Sequence, residues 1–295
     1  MSIIKAIILG IVQGITEFLP ISSSGHLSLF QHWLGVGGES SLLFSVLLHM
    51  GTLAAVFIVY YETIWELVLE FISVIKDVVH RKFKYKDIKG NRRMLVMFFF
   101  SCIPLLFLLI PIGNDQNIMD FFKRFSEDTS ILAEGFCFLF TALLLLAGAR
   151  TAQLKKSNRK VNTLDAILIG IAQAVAALLP GVSRSGSTIS TGLMCGVSKD
   201  YMVKYSFILG IPAVLAANVM ELKDAVEAGE TFDFFPVFIG IVVAAVVGVL
   251  CIKLLRILLK KDMFKYFGYY CLALGGITVI LGLIEKFANV YIGIH

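Results

Sequence analysis

GIVQGITEFLPISSSGH, residues 10–26, begins as an apolar helix and ends as a polar loop. Gln13 and Glu17 lie four residues apart, so they share one helical face. Pro20 then breaks the helix ahead of Ser22, Ser23 and Ser24, and Gly25 and His26 close the loop. A carboxylate, three hydroxyls and an imidazole inside a greasy segment are costly in lipid and call for a functional reason. The stretch recurs in degenerate form as residues 170–186, GIAQAVAALLPGVSRSG. Gly10, Gln13, Pro20 and Ser23 match Gly170, Gln173, Pro180 and Ser183. The first copy holds the acid and the imidazole, the second holds Arg184, and each reads as half of a site.

Composition puts the rest of the chain in a membrane. Of 295 residues 58% are hydrophobic and only 16% charged, too few charges to clothe a soluble domain of that length. The charges cluster between apolar runs long enough to cross a hydrocarbon core, predicting crossings at residues 41–60, 94–112, 131–149, 201–220, 234–259 and 264–284. Residues 64–79 carry Glu66, Glu70, Lys76 and Asp77 and predict an amphipathic helix at the interface. No secretory signal peptide is expected, since no small-residue cleavage site precedes the first motif. The five cysteines are scattered without a CxxC pair and read as buried hydrophobes, and the net charge of +5 reads as topology, with no nucleic-acid partner.

Basic stretches at residues 80–93, 150–160 and 260–265 are assigned to the cytoplasm by the positive-inside rule. Acid-leaning loops with Asp115, Asp120, Glu127 and Asp128, and with Glu221, Asp224, Glu227, Glu230 and Asp233, then face outward. An odd number of crossings separates the motif copies, so they approach the membrane from opposite sides. The expected fold is an all-α integral membrane protein built as an inverted-topology repeat. Residues 1–149 form one half, a re-entrant helical pair, three spans and the interfacial helix; residues 150–295 form the other, a re-entrant pair and three spans. Broken helices of such repeats meet near the midplane and build a site there.

The chemistry follows from the residue types. Arg184, flanked by Ser183, Ser185 and Thr188, offers a guanidinium fork and hydroxyls suited to phosphate oxygens, and Ser24 adds a hydroxyl from the first loop. An ion pair with Glu17 is the structural alternative for Arg184. Ser23 and His26 stand three apart, so the imidazole is expected to take the serine proton or to attack phosphorus itself. Glu17 would orient the imidazole, act as a base, or hold a divalent cation with Gln13. His32, His49, His80 and His295 are expected to be bystanders.

Gln13-x-x-x-Glu17, the serine loop ending in Gly25-His26, and Pro180-Gly181-x-Ser183-Arg184-Ser185-x-x-Thr188 together resemble the undecaprenyl-diphosphate phosphatase family, the integral-membrane bacitracin-resistance type. The resemblance spans the whole chain. It implies a multi-pass protein of the bacterial plasma membrane that hydrolyses undecaprenyl diphosphate to the monophosphate and inorganic phosphate, recycling the carrier lipid of peptidoglycan synthesis. It also implies a homodimer, a divalent cation (Mg²⁺ or Ca²⁺) and a site open to the outer face. On this reading Ser183, Arg184, Ser185, Thr188 and Ser24 cradle the diphosphate, Ser23 attacks, His26 removes its proton and Glu17 sets the state of His26. Attack by His26 itself, or by water, stays open. A polyprenyl-phosphate transporter or flippase is the alternative function, because inverted repeats with broken helices also serve transport.

Overall fold

The computed structural model describes residues 2–35, 39–85, 88–113, 116–118, 131–154, 159–179, 181–227, 229 and 233–288. Pro180, Lys86, Lys155, Lys156, Asp115, Asp120, Glu127, Asp128, Glu230 and His295 lie outside them. Ten α-helices occur among the described residues: α1 (Ile3–Thr16), α2 (Ser23–Trp33), α3 (Glu39–Val79), α4 (Gly90–Leu106), α5 (Leu132–Leu154), α6 (Thr163–Leu178), α7 (Arg184–Met194), α8 (Lys199–Glu227), α9 (Phe234–Lys260) and α10 (Phe264–Ala288). Six described stretches are long and apolar enough to cross a membrane, on α3, α4, α5, α8, α9 and α10. Their lipid-facing sides are studded with exposed apolar side chains such as Phe57, Leu143, Val246 and Ile280. This is an all-α multi-pass membrane protein, as the hydropathy pattern predicts.

One expectation is adjusted. The break expected after the first crossing is present: α3 is two helices joined across a kink at Tyr60, whose φ of −115° and ψ of 19° are not helical. The acids of the helix after the kink are tied to the start of α4, where Arg92 bonds Glu70 (3.1 Å), Asp77 (2.7 Å) and Ser73 (2.6 Å). The adjustment follows α4. The crossing expected to reach Ile112 ends in a 3₁₀ turn, Phe107–Leu109, and a short antiparallel ribbon, β1 (Pro111–Gly113) with β2 (Gln116–Asn117).

The short helices pack on long ones. α1 lies along α9 and α6 along α4, α5 pairs with α10, and α3 meets α8. A Cβ added at Gly10 or Gly14 would strike the carbonyl oxygens of Gly240 and Ala244, so α1 and α9 touch backbone to backbone. In lipid such close contact is the main force between helices. At 14 and 16 residues, α1 and α6 are about 21 and 24 Å long, too short to span. Each ends inside the protein, and the chain after it turns into α2 or α7.

Candidate active site

α2 and α7 are each started by a serine side chain. Ser22 Oγ accepts from Gly25 N–H (3.2 Å), and Ser183 Oγ accepts from Gly186 N–H (3.0 Å). The two turns touch, with Gly181 N–H donating to Ser24 Oγ at 3.2 Å. Ser22 has φ 74° and ψ 98°, a left-handed backbone rarely tolerated by a non-glycine residue and held here by burial and the cap. That turn swings Ser23 back towards the end of α1.

Glu17 sits at the centre. Its Oε2 accepts from Ser23 Oγ (2.7 Å) and Gln13 Nε2 (3.2 Å), and its Oε1 accepts from Arg184 Nη2 (2.8 Å). Arg184 crosses from the other half of the chain and also donates to the Ser206 carbonyl (3.4 Å). Its guanidinium lies over Gly210, where any Cβ would collide with it. Glu17 is 9% exposed, so a carboxylate this deep requires the charge and donors gathered around it.

These groups face a cavity of about 210 Å³. It is lined by Glu17, Ser23 and Ser24, by Ser183, Arg184 and Ser185, and by His49 of α3 with Ala213, Val214, Ala217 and Asn218 of α8. The dipoles of α2 and α7 both place their positive ends here, which favours an anion between them. Serine hydroxyls, a guanidinium and two helix starts suit phosphate; a carboxylate bonded to a hydroxyl can accept its proton.

The structure brings together Gln13, Glu17, Ser23, Ser24, Ser183, Arg184 and Ser185. Three expected residues do not line the cavity, and of these Gln13 is tied to it through Glu17. Thr188 is fully buried and donates to the Arg184 carbonyl (3.0 Å) while meeting Ser206 Oγ (2.6 Å), so it braces the arginine from behind. His26 turns the other way. Its Nδ1 meets the Ser22 carbonyl (2.7 Å), its Nε2 meets Tyr270 Oη (2.7 Å), and its ring stacks on Tyr270 at 5.6 Å. Spacing suggested that His26 serves Ser23; in the structure the Ser23 hydroxyl is bonded to Glu17.

The residues missed are His49 and Asn218. His49 Nε2 lies 3.7 Å from Glu17 Oε2, while Nδ1 is fixed on the Ser45 carbonyl (2.8 Å). Both sit in apolar runs, Leu-Leu-His-Met and Ala-Ala-Asn-Val, and a lone polar residue in such a run was their one signal. For a cation, the buried Gln13 Oε1 has no partner and is a hard oxygen beside a carboxylate. No group of three His, Cys, Asp or Glu side chains among the described residues can hold an ion. Gln13 and Glu17 therefore fit an ion whose other ligands are phosphate oxygens and water.

The family model described as bacitracin resistance protein BacA matches residues 6–277. The chain belongs to this family. Among relatives of the BacA family, a protein of Alkaliphilus metalliredigens is 38% identical over 288 residues, covering 96% of this chain and 100% of the relative. Another from Halothermothrix orenii is 36% identical over 283 residues, 95% of this chain and 98% of its own length. One from Corynebacterium glutamicum is 34% identical over 280 residues, 94% and 90% of the two chains. All three bear the name undecaprenyl-diphosphatase.

Proposed function

We propose that this protein hydrolyses undecaprenyl diphosphate to undecaprenyl phosphate and inorganic phosphate in the plasma membrane, recycling the carrier lipid. The observation that carries the reading is the contact of Ser23, Glu17 and Arg184 in one cavity, with Arg184 supplied by the second motif copy. The names of the relatives agree with it.

In the mechanism we assign, the terminal phosphate displaces Glu17 from part of the Arg184 fork and lies against Ser24, Ser183 and Ser185. Ser23 Oγ attacks the terminal phosphorus as its proton passes to Glu17 Oε2. The Oγ–P bond forms, the anhydride P–O bond breaks, and the lipid monophosphate leaves with the electron pair. Water then attacks the phosphorus of the phosphoserine, the Oγ–P bond breaks as Glu17 returns its proton to Ser23 Oγ, and inorganic phosphate departs with the water's oxygen and protons. Arg184 neutralises the charge that develops on the transferred group. Thr188 keeps Arg184 in place. A divalent cation belongs to this proposal as the diphosphate's companion, held on the protein side by Glu17 and Gln13; when bound, it neutralises phosphate charge.

The inverted repeat is part of the same reading. Its support is reciprocal packing: α1 lies on α9 as α6 lies on α4, and α3 with α8 and α5 with α10 pair helices at matching places in the two halves. The basic residues at the α3–α4 and α9–α10 junctions put the α2 side of the site towards the outer face. A homodimer is the assembly we assign, testable by cross-linking in native membranes.

The deciding experiment is phosphate release from a long-chain prenyl diphosphate by the detergent-purified protein, with acid quench to trap a phosphoenzyme. Label on Ser23 supports the mechanism. Label on His26 transfers the nucleophile's role to the imidazole, and tight diphosphate binding without release sinks the phosphatase reading in favour of a transporter.

A further inference from the structure

The α8 side of the cavity holds a polar group that the mechanism above leaves unused. Asn218 is 5% exposed on a helix face otherwise made of Ala213, Val214 and Ala217. Its Nδ2 reaches only the Met50 sulfur, at 3.5 Å, and a thioether is a weak acceptor. An amide placed in a membrane helix for so slight a bond has donor capacity to spare for a ligand. Its sequence neighbours say which part of the ligand. Leu215, Val219 and Leu222 are 38%, 67% and 42% exposed and Met50 is 42% exposed, so the wall opens at Asn218 onto lipid-facing surface. Arg184 lies over Gly210, two turns or about 12 Å along α8 before Asn218.

We propose that Asn218 binds the phosphate that stays on the prenyl chain, at a threshold where the lipid passes into the cavity through the seam between α3 and α8. The headgroup crosses the gap, with its terminal phosphate on Arg184 and its lipid-linked phosphate on the Asn218 NH₂ group. The chain leaves over Met50, Leu215 and Val219. Ala213 and Ala217 keep the passage open because they project so little. The inference rests on the phosphatase reading for the identity of the ligand.

The test compares wild type with Asn218→Ala and Ala217→Leu, using a long-chain prenyl diphosphate as substrate and prenyl monophosphate and inorganic phosphate as inhibitors. Asn218→Ala should raise KM about tenfold, the cost of one hydrogen bond to a charged oxygen, with a smaller change in kcat. The inhibition constant of prenyl monophosphate should rise by the same factor, and that of inorganic phosphate should not move. Ala217→Leu, which narrows the same wall without touching the amide, should also raise KM for the long-chain substrate; it answers the question if Asn218→Ala does not fold. Unchanged KM in both variants overturns the proposal. So does a parallel weakening of inorganic phosphate, which would put Asn218 on the terminal phosphate. A wild type that releases no phosphate defeats the phosphatase reading alone, since equilibrium binding of prenyl monophosphate still reports on Asn218.

Discussion

Ser23 and Ser183 are the same residue in two copies of one motif, yet their hydroxyls do different work. Ser183 Oγ caps α7 on Gly186 N–H, whereas α2 is capped by Ser22, one position earlier in its copy. The helix of the first copy therefore starts one residue sooner, and Ser23 falls inside it with its hydroxyl on Glu17. The glutamines differ for a related reason. Gln13 donates to Glu17, while both amide atoms of the buried Gln173 lack a partner among the described residues, since the position of Glu17 is Ala177 in the second copy. The first copy brings a carboxylate and a bonded hydroxyl to the cavity and the second a cationic fork; one shifted cap and one replaced residue account for the division.

The largest effect should come from Ser23→Ala. Loss of the nucleophile should lower phosphate release by at least about 10³-fold and abolish the phosphoenzyme. Ser183→Ala removes a cap and one phosphate contact, costing about 1 kcal/mol of stability and about tenfold in activity. Equal damage in the two variants, measured side by side by initial rates and thermal unfolding in detergent, would erase the distinction. Next is Arg184→Ala, expected to reduce kcat by roughly 10²–10³-fold. Lysine should not rescue it fully, since a point-like ammonium lacks the planar fork whose separate nitrogens reach Glu17 and the Ser206 carbonyl.

His26 gives a smaller, more discriminating effect. If it acts by seating α2 against Tyr270, then Tyr270→Phe and His26→Gln should each lower the rate by no more than about tenfold and leave the pH–rate profile in place. A His26→Gln variant that retains the fold but loses about 10³-fold in rate would return the imidazole to the chemistry. The smallest effect concerns the orphaned amide. Gln173→Leu removes two buried unpartnered polar atoms and should stabilise the protein by about 1–2 kcal/mol without changing turnover.

The crossings were legible because lipid demands long apolar runs, and the halves of the site because Glu17 and Arg184 are expensive where they stand. What escaped was decided by backbone detail and by packing between distant segments. Ser23 and His26 both lie in α2, but the Ser23 hydroxyl is taken by Glu17 and the His26 ring by the Ser22 carbonyl and Tyr270, 244 residues away. His49 looked inert between Leu48 and Met50, since only the docking of α3 beside the end of α1 brings it near Glu17.

The Glu17–Arg184 bond also sets an order of events at the ribosome. Its partners are 167 residues apart, which at ~5–20 residues per second is about 8–33 s of synthesis. Through that interval the first half waits in the bilayer with a carboxylate whose arginine does not yet exist. The closed site is thus a late product of translation, and a chain truncated before Arg184 should be recognised by membrane quality control as unfinished.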